Sequence, residues 1–393
     1  MSAVPARPFR MAAIAAAVLA MVVALGWPVC RFFLTGQTDF VQLYTGAQLS
    51  GTGKLYDPEA NYGWHRRLFA TRFPAVLHSR PPFYSFLLRP LGRLPYLAAF
   101  FLFVSLNLLA AVWVFLRVLG PNRPAAWLAL LNPAAYLALL WGQDVWLAVA
   151  LCAAAWLALR KGRDFQAGML LSLCAIKAHL FVLTPLALLL HRRWTVLAGG
   201  AAGAAALLLV SFYAEGIGWP AQYWRILSNP VIHRDMAGMP NLQGVASLLG
   251  HPPGLLPFLL AATVAAVLWI SLRTDQISVA MAAALTGSFL ISYHAYPHDS
   301  LTLLLAFALL QPSSLSGWRR AAWFLLAGPL PLWLVLMGKP WTASLPAAAL
   351  LALATLALVR QKAPATSGES LAADGASTPP SALPRAGSVR AQS

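Results

Sequence analysis

The chain has 393 residues, 60% of them hydrophobic and only 10% charged, with a formal charge of +17. Soluble globular proteins carry about 25% charged residues; the mean hydropathy of +0.68 excludes a soluble domain and places the chain among polytopic membrane proteins. The Lys and Arg residues are scattered over the ends of apolar runs rather than gathered on one soluble face, which excludes a nucleic-acid partner and fits membrane topology and contact with anionic lipid or phosphate.

Residues 1–10, with Arg7 and Arg10, read as a cytoplasmic N-terminus, and the apolar run 11–34 as a first helix. Its start resembles a signal peptide, but Gly26-Trp27-Pro28-Val29-Cys30 has no small-x-small cleavage site, so the helix is expected to be retained. Residues 35–93 follow as a long first extracytoplasmic loop. This loop is basic, with Lys54, Arg66, Arg67, Arg72, Arg80 and Arg89 against Asp39, Asp57 and Glu59. The positive-inside rule weakens for long loops, and an excess of outer cations suits a phosphate-bearing substrate.

Helices are expected at about 94–118, 125–140 and 145–159, joined by an inner turn at Gly120-Pro121-Asn122-Arg123-Pro124 and an outer one at Trp141-Gly142-Gln143-Asp144. The third ends at Arg160-Lys161-Gly162-Arg163, a cytoplasmic signal. The next run, 165–190, is flanked by basic clusters on both sides, Arg160–Arg163 and His191-Arg192-Arg193. One crossing would put one cluster outside; two short helices meeting near Lys177-Ala178-His179 keep both inside, and the basic flanks favour the pair. A helix at about 195–213 leads to a second outer loop, 214–250, which holds Trp219, Trp224, Arg225, His233, Arg234, Asp235 and Asn241. Helices follow at about 254–272, 276–293, 299–311, 320–337 and 342–359, with turns that alternate in charge: Arg273 inside, His294–Asp299 outside, Trp318-Arg319-Arg320 inside, Lys339 outside.

The expectation is an all-α polytopic membrane protein with about 10–12 transmembrane helices in residues 11–360 and both termini inside. Residues 361–393, rich in Ala, Ser, Pro, Gly and Thr, read as a disordered cytoplasmic tail. Cys30, Cys152 and Cys174 lack CxxC spacing and suggest neither a disulfide framework nor a zinc site.

By this topology Asp39, Arg80, Gln143, Asp144, Asn241, Gln243, His294, His298 and Asp299 lie at outer helix ends, with Lys177 and His179 at membrane depth. An ionisable group in a membrane segment costs about 2.5–3.5 kcal/mol on insertion scales and is a functional candidate by default. Each has a plainer reading. Asp39 can cap or flank a helix, Lys177 can snorkel, Arg80 can anchor at the interface, Gln143 and Asp144 can be ordinary helix-end residues, and His298-Asp299 can be a solvated pair. There is no Walker A, HExxH, GxSxG or Asp-x-Asp element. The chemistry would then rest on one base with cations that stabilise a leaving group, and no metal is expected.

Several elements together resemble glycosyltransferase family 87. These are Asp39-Phe40 with Leu55-Tyr56-Asp57-Pro58, Arg80-Pro81-Pro82-Phe83, Trp141-Gly142-Gln143-Asp144, Ala175-Ile176-Lys177-Ala178-His179, Met239-Pro240-Asn241-Leu242-Gln243-Gly244 and Tyr293-His294-Ala295-Tyr296-Pro297-His298-Asp299. Asp144, Ala178 and Gln243 stand where the family's elements carry Asn, Pro and Arg. The resemblance implies a GT-C-like bundle over residues 11–360 of a bacterial inner-membrane protein whose active site faces the periplasm. It implies a hexosyltransferase that takes its sugar, mannose first, from a polyprenyl-phosphate donor as substrate rather than cofactor, and passes it to a lipid or glycan acceptor. Asp39 would be the base of an inverting single displacement. Arg80, Lys177 and His298 would stabilise the leaving phosphate, and His179, Gln143, Asp144, Asn241 and Asp299 would shape the substrate pocket. The alternative is a transporter or flippase of lipid-linked saccharides, which would not depend on the Asp39 carboxylate; a noncatalytic membrane subunit would depend on none of these residues.

Overall fold

The computed structural model describes residues 32–69, 77–120, 123–229, 236–310 and 329–357, with Gly317, Ala322, Trp323 and Leu325. The expectations for residues 1–31, for His233, Arg234 and Asp235, for Trp318-Arg319-Arg320 and for the tail 361–393 lie outside the described residues. Those described belong to one compact unit, Met1–Val359.

Every regular element among them is helical. The stretch expected to be a long loop holds three short helices, α1 (Phe40–Leu49), α2 (Pro58–Leu68) and α3 (Pro82–Gly92). Local chemistry starts α2: the Asp57 carboxylate accepts from the backbone N–H of Glu59 and Ala60, and Pro58 occupies the first helical position, where a missing N–H costs nothing. α4 (Tyr96–Val114) continues through a π-helical turn to Leu119. The helix expected at 125–140 is two, α5 (Arg123–Leu131) and α6 (Pro133–Leu140). Pro133 disfavours helical backbone at the residue before it, and Asn132 is extended there, its side chain accepting from Ala134 N–H.

α7 (Val145–Arg160), α8 (Asp164–Leu173), a 3-10 segment (Cys174–Leu180) and α9 (Thr184–Leu190) follow, then α10 (Trp194–Glu215), α11 (Trp219–Leu227) and α12 (Leu242–Leu248). The last group is α13 (Leu255–Arg273), α14 (Ile277–Ile291), a 3-10 turn (Pro297–Ser300), α15 (Leu301–Leu309), α16 (Pro329–Leu336) and α17 (Ser344–Ala357). Among the described residues three spans are long and apolar enough to cross a membrane: Tyr96–Leu119, Trp194–Glu215 and Leu255–Arg273. α7, α14 and α17 are shorter apolar helices. The expected row of full-length spans is thus broken into shorter pieces at several places.

Large apolar side chains on the outer faces of the long helices are exposed, among them Leu109 and Leu116 on α4, Leu209 on α10 and Phe258 on α13. Helices apolar on every side are at home in lipid. By contrast, α14 is buried from Val279 to Leu290 and forms the centre of the bundle. Its Ala282, Ala283, Ala284 and Gly287 let neighbouring helices approach closely, which is how helices associate where lipid removes the hydrophobic incentive.

The segment 164–190 goes in and comes back. Phe165 faces Gly199, and Ser172 faces Gly203, so α8 runs parallel to α10. α9 turns into α10 through His191–Arg193 and is therefore antiparallel to it. An ion pair of 3.7 Å between Asp164 and Arg193 joins the two flanks of the segment directly. The break sits at Lys177, whose backbone leaves helical geometry (φ −135°, ψ 53°). The α8–α10 contact depends on glycine: a Cβ on Gly168 would collide with the Val196 carbonyl, and one on Gly199 with that of Phe165.

Candidate functional site

α7 rises about 24 Å from Asp144 to Arg160 at 1.5 Å per residue. The ten residues of α8 and the first residues of the 3-10 segment return about the same distance. Lys177 is thereby delivered back to the level at which α7 began, and its Nζ lies 3.4 Å from Asp144 Oδ1.

Around that point the fold gathers side chains from five places in the chain. Lys177 Nζ donates to Asp299 Oδ1 at 2.7 Å and to Gln143 Oε1 at 3.3 Å. An ammonium has three N–H donors; two are given to Asp299 and Gln143, and Asp144 adds an ion-pair contact. Arg80 grips Asp144 with two bonds of 3.0 Å, Nε to Oδ2 and Nη2 to Oδ1. Gln143 passes the network outward: its Nε2 donates to Asp39 Oδ2 at 2.6 Å. Asp144 is 0% exposed, Asp299 1%, Lys177 3% and Arg80 5%, whereas Asp39 is half-buried. Two cations face two deeply buried carboxylates, and Asp39 is the additional carboxylate at the margin.

Each member is held by its own local structure. Asp39 precedes α1 but makes no side-chain capping bond, so the helix-cap reading does not describe it. It is anchored by the next residue, Phe40, which packs among Tyr96, Phe100 and Phe103 with ring centroids 5.0–5.8 Å away. Gln143 and Asp144 are presented by a turn in which Gly142 is left-handed (φ 61°), and a Cβ there would press on Phe40 and Phe100. Asp299 sits in the 3-10 turn, its Oδ2 accepting from Tyr296 N–H at 2.9 Å.

Arg80 lies on an extended stretch pinned from three sides. Tyr56 Oη donates to the Arg80 carbonyl at 2.8 Å, Tyr223 Oη to the Ser79 carbonyl at 3.3 Å, and His78 bridges the Gln42 carbonyl (2.9 Å) and Ser85 Oγ (2.7 Å). Sequence reasoning missed Tyr56, His78 and Tyr223 as supports of the site. The Leu55-Tyr56-Asp57-Pro58 element was visible, but nothing local said that its hydroxyl would reach Arg80.

Not every candidate joins the network. Asn241 caps α12, accepting from Gln243 and Gly244 N–H, and donates to the Ser292 carbonyl at 2.7 Å. These bonds tie the segment before α12 to the turn that follows α14. His298 Nε2 is 3.6 Å from Asp299 Oδ2. His179 stands beside the network rather than in it, against Tyr293 with ring centroids 5.4 Å apart. His294 and Tyr296 extend this aromatic rim, with centroids 4.9 Å apart.

Electrostatics separate the three carboxylates. Burial raises the Asp39 carboxyl above its ordinary value, opposed by the Gln143 hydrogen bond and the charges of Lys177 and Arg80. Burial works in the same direction on Asp144 and Asp299, but there the cations win: Arg80 and Lys177 hold Asp144 low, and Lys177 holds Asp299 low. Burial pushes the His298 imidazole down to about 4 against the pull of Asp299, so it is neutral near pH 7. The arrangement yields one carboxylate of raised basicity beside two that stay ionised. Among the described residues no group of three or more His, Cys, Asp or Glu is placed to hold a metal ion.

The model of glycosyltransferase family 87 matches residues 80–297, more than half of the chain. The match takes in Arg80, Gln143, Asp144, Lys177, His179 and Asn241, and stops one residue short of His298. No significant match exists among curated proteins or among solved structures.

Proposed function

Because the chain belongs to glycosyltransferase family 87, and is therefore a membrane glycosyltransferase, we propose that it moves a hexose, mannose first, from a polyprenyl-phosphate donor to a lipid or glycan acceptor. The observation that carries this reading is the half-buried Asp39 carboxylate, held by Gln143 at 2.6 Å in front of a charge-balanced network. A base of raised pKa, oriented by a single donor and backed by fixed charges, suits the removal of a hydroxyl proton.

In the proposed step the acceptor oxygen attacks C1 of the sugar as its proton passes to Asp39. The bond between C1 and the phosphate oxygen breaks, polyprenyl phosphate leaves with the electron pair, and C1 is inverted. The cations divide the remaining work. Lys177 gives its hydrogen bonds to Gln143 and Asp299 and pairs with Asp144, so it positions those side chains. Arg80 uses Nε and Nη2 on Asp144, while its Nη1 makes no hydrogen bond among the described residues; it is the group assigned to the leaving phosphate. Neutral His298 adds a hydrogen-bonding ring rather than a charge. His179, Tyr293 and Tyr296 offer ring faces to a sugar. An apolar cavity of about 440 Å³ between the re-entrant pair and α10, lined by Ala175, Ala178, Phe181 and Ala204, gives a lipid tail a place beside Lys177.

We place the reaction at the periplasmic face of a bacterial inner membrane. The support is charge: Arg117, Arg160, Lys161, Arg163, Arg192 and Arg193 fall at the end of the bundle away from Asp39, where the positive-inside rule puts the cytoplasm. The test is to give the purified protein labelled polyprenyl-phosphate-mannose and a crude lipid extract. Label appearing in an acceptor together with free polyprenyl phosphate is the expected result. Passage of intact donor across proteoliposomes without sugar release would favour the transporter.

A further inference from the structure

We propose that the basic end of the bundle holds a site for the phosphodiester headgroup of an anionic phospholipid, distinct from the substrate site. A cavity of about 440 Å³ opens between α4, α7 and α8, and Arg117, Lys161 and Arg163 line it together with Trp113, Leu157 and Leu170. No carboxylate lines it. Among the described residues none of the three cations makes an ion pair, and the neighbouring Asp164 is engaged by Arg193. The cavity therefore has an uncompensated positive rim.

The order of the residues along the helices identifies the ligand. On α4, Arg117 lies one turn beyond Trp113; at the end of α7, Lys161 lies one turn beyond Leu157; on α8, Arg163 lies two turns outward of Leu170. Residues three or four apart share a helix face. Each wall thus carries its cation on the outside and an apolar or aromatic group toward the membrane interior. A free anion would need only the rim, whereas a phospholipid needs both levels, a phosphate above and acyl chains below. Basic pockets between membrane helices on the cytoplasmic side are suited to anionic headgroups. The site is also about the full 24 Å length of α7 away from Asp144, so the donor phosphate at Asp39 cannot be the same ligand. A lipid here would bind α4 to the α7–α8 hairpin, the element that carries Lys177.

The experiment is native mass spectrometry of the delipidated full chain with phosphatidylglycerol, phosphatidylcholine or inorganic phosphate. Phosphatidylglycerol should be retained and phosphatidylcholine lost. The triple variant Arg117→Gln, Lys161→Gln, Arg163→Gln should bind phosphatidylglycerol about 100-fold more weakly, from about fivefold per cation. The control Arg66→Gln, Arg67→Gln should bind as the parent does. In parallel, phosphatidylglycerol with brominated chains should quench the parent's fluorescence more than that of Trp113→Phe, which does not depend on the triple variant folding. Equal retention of phosphatidylcholine, equal loss in the control, or no quenching difference at Trp113 would overturn the proposal. Displacement of the lipid by millimolar inorganic phosphate would assign the rim to a free anion and overturn it as well.

Discussion

Gln143 joins Asp39 to Lys177, its amide N–H donating to the carboxylate at 2.6 Å and its carbonyl oxygen accepting a hydrogen bond from the ammonium at 3.3 Å. The orientation of that amide is dictated by its neighbours. Lysine only donates and an ionised carboxylate only accepts, so the oxygen must face Lys177 and the nitrogen Asp39. One side chain thereby sets the direction of the proposed base and tempers the basicity that burial gives it.

Replacing Gln143 tests this link. The hydrogen bond opposes the upward push of burial on Asp39, so its loss in Gln143→Leu raises that pKa further. Transfer needs the ionised carboxylate, and the acid limb of kcat should move to higher pH. A pH–rate profile superimposable on the parent's would show that Gln143 does not act on the base.

The Arg80–Asp144 pair should behave as a buried pair. Asp144→Ala strands two cations in a site where Asp144 itself is 0% exposed, and breaking such a pair costs about 3–5 kcal/mol. Arg80→Ala should cost less in the Asp144→Ala background than in the parent, with a coupling of about 1–3 kcal/mol. Denaturation in detergent of all four proteins measures it, and strict additivity would contradict the pairing.

Closeness of α8 to α10 positions Lys177 from a distance. Gly168→Val must push the Val196 carbonyl away, with an overpacking cost of about 1–3 kcal/mol. It should also lower kcat by moving Lys177 off Gln143. Full transfer activity in a Gly168→Val protein would mean that the re-entrant pair does not set the site.

The packing of α1 against α3 should loosen in acid. Burial lowers the His78 imidazole from 6.5 to about 4, against the bond to the Gln42 carbonyl. Between those values the unfolded chain binds the proton and the folded one does not, so stability rises with pH across the window and is lost as pH falls from 6.5 toward 4. The single-residue effect is about 3 kcal/mol at its full extent. Tm in detergent should fall over that range, and His78→Asn should flatten the slope. An unchanged slope would mean that His78 does not titrate as a buried group.

Much of the scaffold could be read from hydrophobic runs. The helices expected at 94–118, 195–213 and 254–272 match Tyr96–Leu119, Trp194–Glu215 and Leu255–Arg273 within a few residues, because each is a long run without a strong internal break. α1, α2 and α3 were not visible, since their aromatic and polar composition carries no simple period. Basic flanks on both sides of 165–190 pointed to two short helices, and the Asp164–Arg193 pair shows why: the two flanks meet. The polar residues of the site were legible as exceptions in apolar surroundings, but their partners were not. Arg80 and Asp144 are separated by 64 residues, Lys177 and Asp299 by 122. That Asn241 caps α12 was not legible, because a short polar side chain reads equally as a ligand or a cap until the backbone around it is known.

The most direct test of the account compares the purified parent with Asp39→Asn in transfer of labelled sugar from a polyprenyl-phosphate donor, with far-UV circular dichroism and thermal melting to establish that both are folded. The account predicts transfer by the parent and a loss of about 10²–10⁴-fold in the variant. A folded Asp39→Asn protein that transfers sugar at the parent's rate would contradict it.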